Sequence, residues 1–191
     1  MNYKRLLATI AFAAMPAIAQ AHTGHHADGL SAGFSHPFGG LDHILAMVAV
    51  GFWAATLEGK ARFIVPAAFV VVMAFGALLG IYGIELPLVE AGIAASVALL
   101  GLLVAFEVKV PIAAAAAIVG VCALFHGHAH GLELPTMADA GGYIAGFLAA
   151  TIILHVAGIA LAAVRFGGAA RMAARIAGAV VAVTGAALLA G

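Results

Sequence analysis

Residues 63–83 read FIVPAAFVVVMAFGALLGIYG and contain no charged side chain. About 20 consecutive apolar residues are what an α-helix needs to cross the hydrocarbon core of a bilayer. Five further segments share this character, at residues 41–57, 88–107, 110–130, 142–164 and 172–190. The sequence therefore predicts an all-α polytopic membrane protein, with six transmembrane helices forming one domain over 41–191.

The composition agrees with a protein whose solvent is the lipid bilayer. Of the 191 residues, 65% are hydrophobic and 8% are charged, whereas soluble domains carry about 25% charged residues. The 8 basic and 8 acidic residues balance and form no basic patch, which argues against nucleic-acid binding. With one cysteine, Cys122, no disulfide can form within the chain.

The N-terminus has the three parts of a secretory signal peptide, predicted over residues 1–21. Lys4 and Arg5 precede a short apolar run, and Ala19-Gln20-Ala21 is a small-residue cleavage site. An uncleaved N-terminal anchor is the alternative. Cleavage would make His22 the mature N-terminus and residues 22–40 a periplasmic, histidine-containing segment.

The charged residues between the segments predict an orientation. If the first segment starts outside, the loops on the inside carry all the basic residues found between the segments, and those on the outside carry acidic residues alone. The inside set is Lys60, Arg62, Lys109, Arg165 and Arg171, and the outside set is Glu85, Glu133 and Asp139. The expected location is the bacterial inner membrane, with both mature ends in the periplasm.

Small residues are frequent in the segments and favour close helix packing, as at Gly76 with Gly80 and at Gly92 with Ser96. The third and sixth segments are weakly alike. Two three-helix halves of opposite topology, a 3+3 inverted repeat of the kind transporters use, would explain this. Chance similarity between two Ala/Gly-rich helices is the alternative.

Histidines are concentrated at the predicted outer face, where eight of the nine lie. These eight are His22, His25, His26, His36, His43, His126, His128 and His130. Lipid packing does not require such a distribution, whereas imidazole is the commonest side-chain metal ligand. The predicted outer face is therefore a candidate metal site.

The first histidine motif is His36-Pro-Phe-Gly-Gly-Leu-Asp42-His43. The proline and the glycines let His36 fold back toward the start of the helix. Asp42 and His43 lie in the first turn, with Met47 four residues further on the same face. A metal or a protonated histidine would offset the cost of a carboxylate near lipid. Helix capping is the alternative, and it explains Asp42 alone.

The second histidine motif is His126-Gly-His128-Ala-His130-Gly-Leu-Glu133. On a helix, His126, His130 and Glu133 share one face, and this spacing brings two imidazoles and a carboxylate to one ion. His128 would point elsewhere on a regular helix. A solvated polar loop at a helix end is the alternative.

Two weaker candidates complete the set. His22 would combine a free terminal amine with an imidazole and chelate a borderline metal, or it belongs to a flexible polar tail. His155 lies deep in the fifth segment, where an ionisable residue is a functional candidate. It is either a deeper station on an ion path or a neutral core histidine.

These two motifs resemble the signatures of the HupE/UreJ nickel/cobalt permeases, and the likeness extends over essentially the whole chain. The first also resembles the His-x4-Asp-His pattern of other nickel/cobalt transporters, although five residues intervene here. The resemblance implies secondary uptake of Ni²⁺ or Co²⁺ for hydrogenase, urease or cobalamin pathways. The residues that it marks are His36, Asp42, His43, His126, His128, His130 and Glu133. The His22 cluster is not part of the shared pattern.

The expected function is therefore that of a permease moving a divalent transition metal from the periplasm to the cytoplasm. Imidazoles with two carboxylates suit Ni²⁺, Co²⁺, Zn²⁺ or Cu²⁺, while Cu⁺, Mg²⁺ and Ca²⁺ would need other ligands. No phosphate-binding G-x-x-x-x-G-K-[ST] motif occurs, so gradients, a partner or trapping must drive transport. We expect no resident cofactor, and a cytoplasmic metallochaperone as a partner.

Two other functions use the same residues. An intramembrane zinc-dependent hydrolase could bind zinc through His36, His43 and His126, with Asp42 as the base. A haem-binding electron carrier would need paired histidines at similar depth, but among the histidines His155 alone lies deep.

Overall fold

The computed structural model describes residues 29–57, 59–136, 138–164 and 167–191, and it is helical within these ranges, with turns and short loops between the helices. The predicted signal peptide lies outside the described residues. So do His22, His25 and His26, together with their predicted metal binding.

Seven α-helices follow one another along the described chain. They are α1 Gly29–Ser35, α2 Leu41–Thr56, α3 Ala61–Ile81, α4 Val89–Ala105, α5 Ile112–Leu132, α6 Ala140–Ala163 and α7 Gly168–Ala190. A single 3₁₀ turn, His36–Phe38, joins α1 to α2. Helices α2 to α7 coincide with the six apolar segments, so the prediction of an all-α membrane protein is confirmed at this level.

Four of these helices are long and apolar enough to cross a membrane, namely α3, α5, α6 and α7. Helix α2 has 16 residues and α4 has 17, so each is about 25 Å long against a hydrocarbon core of about 30 Å. Residues 29–38 and α2 pass the same test as a pair, but they are bent by 81°. The structure thus supports four spans, or five with the bent pair, and six spans remain a prediction.

The most extensive packing joins α3 to α5, α4 to α7, and α2 to α6. Glycines make the first of these contacts close. Gly127 of α5 lies against the carbonyl of Met73, and Gly76 of α3 lies against the carbonyl of Leu124. A Cβ atom at either glycine would collide with the other backbone, so this crossing requires glycine.

Helices α2 and α6 cross with the same local geometry. Gly51 of α2 lies against the carbonyl of His155, and Gly158 of α6 lies against the carbonyl of Val48. In both crossings, each glycine lies three residues after the residue of its own helix whose carbonyl contacts the opposite glycine. The two helix pairs therefore correspond residue by residue, with α2 matching α5 and α3 matching α6.

Basic side chains and histidines lie at opposite ends of α4. At its C-terminal end, the Arg175 Nε donates to the Ala105 carbonyl at 3.0 Å, and the Arg171 Nε lies 3.8 Å from the Glu107 carboxylate. At its N-terminal end, Glu90 lines a cavity together with His36 and His43. This polarity is what the charge distribution predicts, although it does not say which end faces the periplasm.

Candidate metal centre

The histidines of both motifs meet where α2 begins and α5 ends. Helix α1 brings the first motif there, because it packs on α6 through Gly33 against the Tyr143 backbone and through Gly146 against the Leu30 backbone. The 81° bend after Phe38 then returns the chain to the start of α2. His36 is thus held over the end of α5. The segment folds back toward the start of α2, as its proline and glycines predict.

His36, His130 and Glu133 form the outer part of the cluster. Each offers one ligand atom, and these atoms all lie within 4.8 Å of one another. The His36 Nε2 is 2.6 Å from the Glu133 Oε2. His130 is fully buried, and neither of its ring nitrogens has a hydrogen-bond partner. Two imidazoles and a carboxylate this close can share one ion.

His43 is oriented by its neighbour Asp42. The Asp42 Oδ1 accepts from the His43 backbone N–H at 2.9 Å and lies 3.0 Å from the His43 Nδ1. A carboxylate can only accept, so Nδ1 carries the proton and Nε2 carries a free lone pair. That Nε2 is buried without a partner. The bond to the His43 backbone N–H satisfies a donor in the first turn of α2, so Asp42 both caps the helix start and orients the His43 ring.

His126 is oriented in the same way by Ser96 of α4. The Ser96 hydroxyl donates to the Ile93 carbonyl at 2.7 Å, so it accepts from the His126 Nε2–H, also at 2.7 Å. The Nδ1 of His126 therefore carries the lone pair, and it is buried without a partner. Such a hydrogen bond on the far nitrogen is the usual support of a metal-binding histidine.

The four imidazoles form one continuous chain. Ring centroids are 4.9 Å apart for His36 and His130, 4.6 Å for His130 and His43, and 4.9 Å for His43 and His126. A cavity of about 420 Å³ is lined by two of these imidazoles, His36 and His43, and also by Glu90. An ion entering this cavity would meet these two imidazoles, whose rings contact those of His130 and His126.

Two predicted residues lie outside this chain. The Nε2–H of His128 donates to the Ile84 carbonyl at 2.8 Å, and its ring makes no contact with the other histidines of the described chain. His155 is buried in α6, with its ring 5.1 Å from that of Phe69. The structure therefore groups five of the candidates, adds Glu133 at the rim, and leaves these two elsewhere. The five are His36, Asp42, His43, His126 and His130.

Aromatic rings that the motifs do not contain wall the cluster. Phe147 stacks on His130 with centroids 4.9 Å apart and an angle of 11°. The ring of Tyr143 lies 5.9 Å from that of His36, and Phe69 lies 6.0 Å from His126. Tyr143 and Phe147 are four residues apart on α6. This spacing is found on any buried helix face, so the sequence alone does not assign them to the site.

The buried, unpaired ring nitrogens are the chemical signal of the site. A polar atom without a partner is costly inside a protein, and each case asks for a bound ion or water. Here such nitrogens occur within the cluster on His43, His126 and His130, and outside it on His128 and His155. With the carboxylates of Asp42 and Glu133 beside them, the arrangement suits a divalent transition metal.

Comparisons with known proteins place the chain among relatives of one kind. The family model described as HupE / UreJ protein matches residues 10–188. Protein HupE of Rhizobium leguminosarum bv. viciae is 66% identical over 191 residues, covering 100% of both chains. No solved structure is significantly similar to the chain.

Proposed function

The chain belongs to the HupE/UreJ family, and from this premise we propose that it is a permease carrying Ni²⁺ or Co²⁺ from the periplasm to the cytoplasm. One observation carries the proposal. Unpaired imidazole nitrogens on α2 and α5 converge, with two carboxylates, at one end of an apolar helix bundle. An ion that crosses lipid must first lose its water ligands, and these nitrogens can replace them.

The cluster can capture the ion in two steps. Glu133 is half exposed and His36 one-third exposed, so they are reached first and begin to replace the hydration shell. His130, His43 and His126 are buried and supply nitrogens further in. Because the ligands lie in a chain, the ion can exchange one imidazole for the next without being left bare.

The ligands narrow the choice of ion. Imidazole suits nickel, cobalt, zinc and Cu²⁺, while magnesium and calcium prefer all-oxygen sites. Oxygen ligands come from Asp42, Glu133 and Glu90, which are too few for a calcium site. Ni²⁺ and Co²⁺ are the proposed substrates, and Zn²⁺ and Cu²⁺, which suit the same ligands, are the competitors.

A zinc hydrolase is a less suitable function for this geometry. Asp42 would have to act as the base on a zinc-bound water, but its Oδ1 holds the Nδ1–H of His43. A haem carrier is also disfavoured, because His43 and His126 have ring centroids 4.9 Å apart and leave no room for a macrocycle.

Metal uptake by intact cells tests the proposal. Cells lacking their own nickel uptake would express the chain, and accumulated metal would be measured by mass spectrometry with Ni²⁺, Co²⁺, Zn²⁺ and Cu²⁺ in competition. We expect saturable accumulation of nickel or cobalt above cells with an empty vector. Accumulation equal to the vector control for all four ions would refute the proposal.

A further inference from the structure

A pair of thioethers lies one helical turn below the histidine chain. Met47 follows His43 by four residues on α2, which is about 6 Å along the helix. The Thr151 Oγ1 on α6 lies 3.4 Å from the Met47 Sδ and 3.6 Å from the Met73 Sδ on α3. All three side chains have no exposed surface. Three helices thus place two sulfurs and a hydroxyl in one buried volume.

The crossing geometry relates the residues around this volume to one another. When α3 is matched with α6, Met73 corresponds to His155, because the backbone carbonyl of each lies against a glycine of the helix that crosses it. Phe69 and Thr151, four residues earlier on their helices, match in turn. In transporters built from inverted repeats, the substrate site lies between the repeats near the midplane. The 3+3 inverted repeat predicted from the sequence would place its site among these matched residues.

His155 is the polar group that packing does not explain. It is 2% exposed, and neither ring nitrogen has a hydrogen-bond partner. Its ring lies at 88° to that of Phe69, and the Phe69 ring also lies 6.0 Å from that of His126 in the histidine chain. A structural histidine at this depth would bond a backbone carbonyl, so the free nitrogens indicate a ligand role.

We propose that Met47, Met73, Thr151 and His155 form a second, transient site for the metal on its way inward, below the histidine chain. This site deepens the proposed function and rests on it. Its donors are two thioethers, one hydroxyl and one imidazole, none of which carries a charge. Thioethers favour late transition metals, and a single hydroxyl cannot replace the oxygen shell of Mg²⁺ or Ca²⁺.

The absence of a carboxylate among these four residues suits transit. A divalent ion that is bound too tightly at the midplane would not leave, and conduction requires binding that is favourable but weak. The charged ligands Asp42 and Glu133 therefore serve capture, while the neutral site passes the ion on and rejects hard cations.

The test replaces the sulfurs without changing the volume. Met47→Leu, Met73→Leu and the double variant keep a core of similar size. The matched control is Met172→Leu, at a methionine on α7 that is 53% exposed. For the double variant, we expect the maximal nickel uptake rate per copy of membrane protein to fall at least about tenfold. The half-saturating nickel concentration should stay within about threefold, because capture occurs at the histidines.

Thr151 gives a second measurement that does not depend on the methionines. Thr151→Ser keeps the hydroxyl and should transport like the parent, whereas Thr151→Val keeps the shape and should lower the maximal rate. This pair decides the question if the double methionine variant does not accumulate in the membrane.

Each outcome has one meaning. A parental maximal rate in the double methionine variant, or equal rates for Thr151→Ser and Thr151→Val, would overturn the second site. A rise in half-saturating nickel without loss of maximal rate would also overturn it, because these residues would then belong to capture. Absence of uptake by the parent chain would instead refute the proposed permease itself.

Discussion

At the scale of single residues, the site depends on pairs that fix which ring nitrogen is free. Asp42 does this for His43, and Ser96 does it for His126. The free nitrogens then face the cluster as lone pairs. Orientation by a second hydrogen bond is therefore as important as the presence of the histidines.

The Asp42 carboxylate is expected to be indispensable. Asp42→Asn removes the negative charge that balances the charge of the metal ion. The asparagine amide can also turn its NH₂ group toward the His43 Nδ1–H, which needs an acceptor. Nickel uptake per copy of membrane protein should fall at least about tenfold. Asp139→Asn is the matched control, because Asp139 caps α6 through the Gly142 N–H and asparagine caps equally well. Equal uptake in both variants would exclude Asp42 from the site.

The Ser96 hydroxyl is expected to set metal affinity. Ser96→Ala leaves the His126 Nε2–H buried without a partner, and loss of such outer hydrogen bonds typically costs 10- to 100-fold in metal affinity. The half-saturating nickel concentration should rise at least about tenfold in uptake assays. Thr184→Ala is the control, since its exposed hydroxyl bonds the Val180 carbonyl on α7. An unchanged value in Ser96→Ala would show that His126 needs no orientation.

The sequence predicts the residues with chemical motifs and misses their supports. The spacing of His126, His130 and Glu133 predicts a shared helix face. His130 and Glu133 lie together, whereas His126 contacts His43. Ser96 could be identified only as a small packing residue, because its partner lies on another helix. The position of His128 depends on the Ile84 carbonyl in a loop, which no helical period reveals.

At the scale of elements, α1 is the helix that the sequence did not predict. Its seven residues are too few and too rich in glycine and serine to give an apolar period. Its position depends on the close backbone contacts of Gly33 and Gly146 with their neighbours across the α1–α6 interface. The predicted bounds of α2 are longer than the observed helix by one residue and those of α4 by three, because helix ends depend on turns that hydropathy does not resolve.

The contact of α1 with α6 should control the position of His36. In Gly33→Ala, the added Cβ would collide with the Tyr143 backbone, so α1 must move and take His36 with it. We expect the half-saturating nickel concentration to rise about tenfold, the size of one lost charged hydrogen bond. Gly168→Ala is the control, because a Cβ there meets no atom within 4 Å. Parental uptake by Gly33→Ala would show that α1 does not hold a ligand.

At the scale of the whole molecule, the predicted orientation awaits a direct measurement. Reporter fusions after Lys60, Lys109 and Arg171 should be active in the cytoplasm, because basic loops are retained there. Fusions after Pro87, Asp139 and Gly191 should be active in the periplasm. This pattern requires α2 and α4 to cross the membrane despite their length. A cytoplasmic Gly191 fusion would mean that one of them does not cross.

The glycine crossings also have a consequence for biosynthesis. Helix α3 finds its partner in α5, and α2 finds its partner in α6, so each close pair joins an early helix to a late one. While the ribosome is still making the second half, the glycine faces of Gly51 and Gly76 have no helix to meet. The bundle can close only after α6 has been inserted, so a chain released early would leave the glycine faces of α2 and α3 without their close backbone contacts.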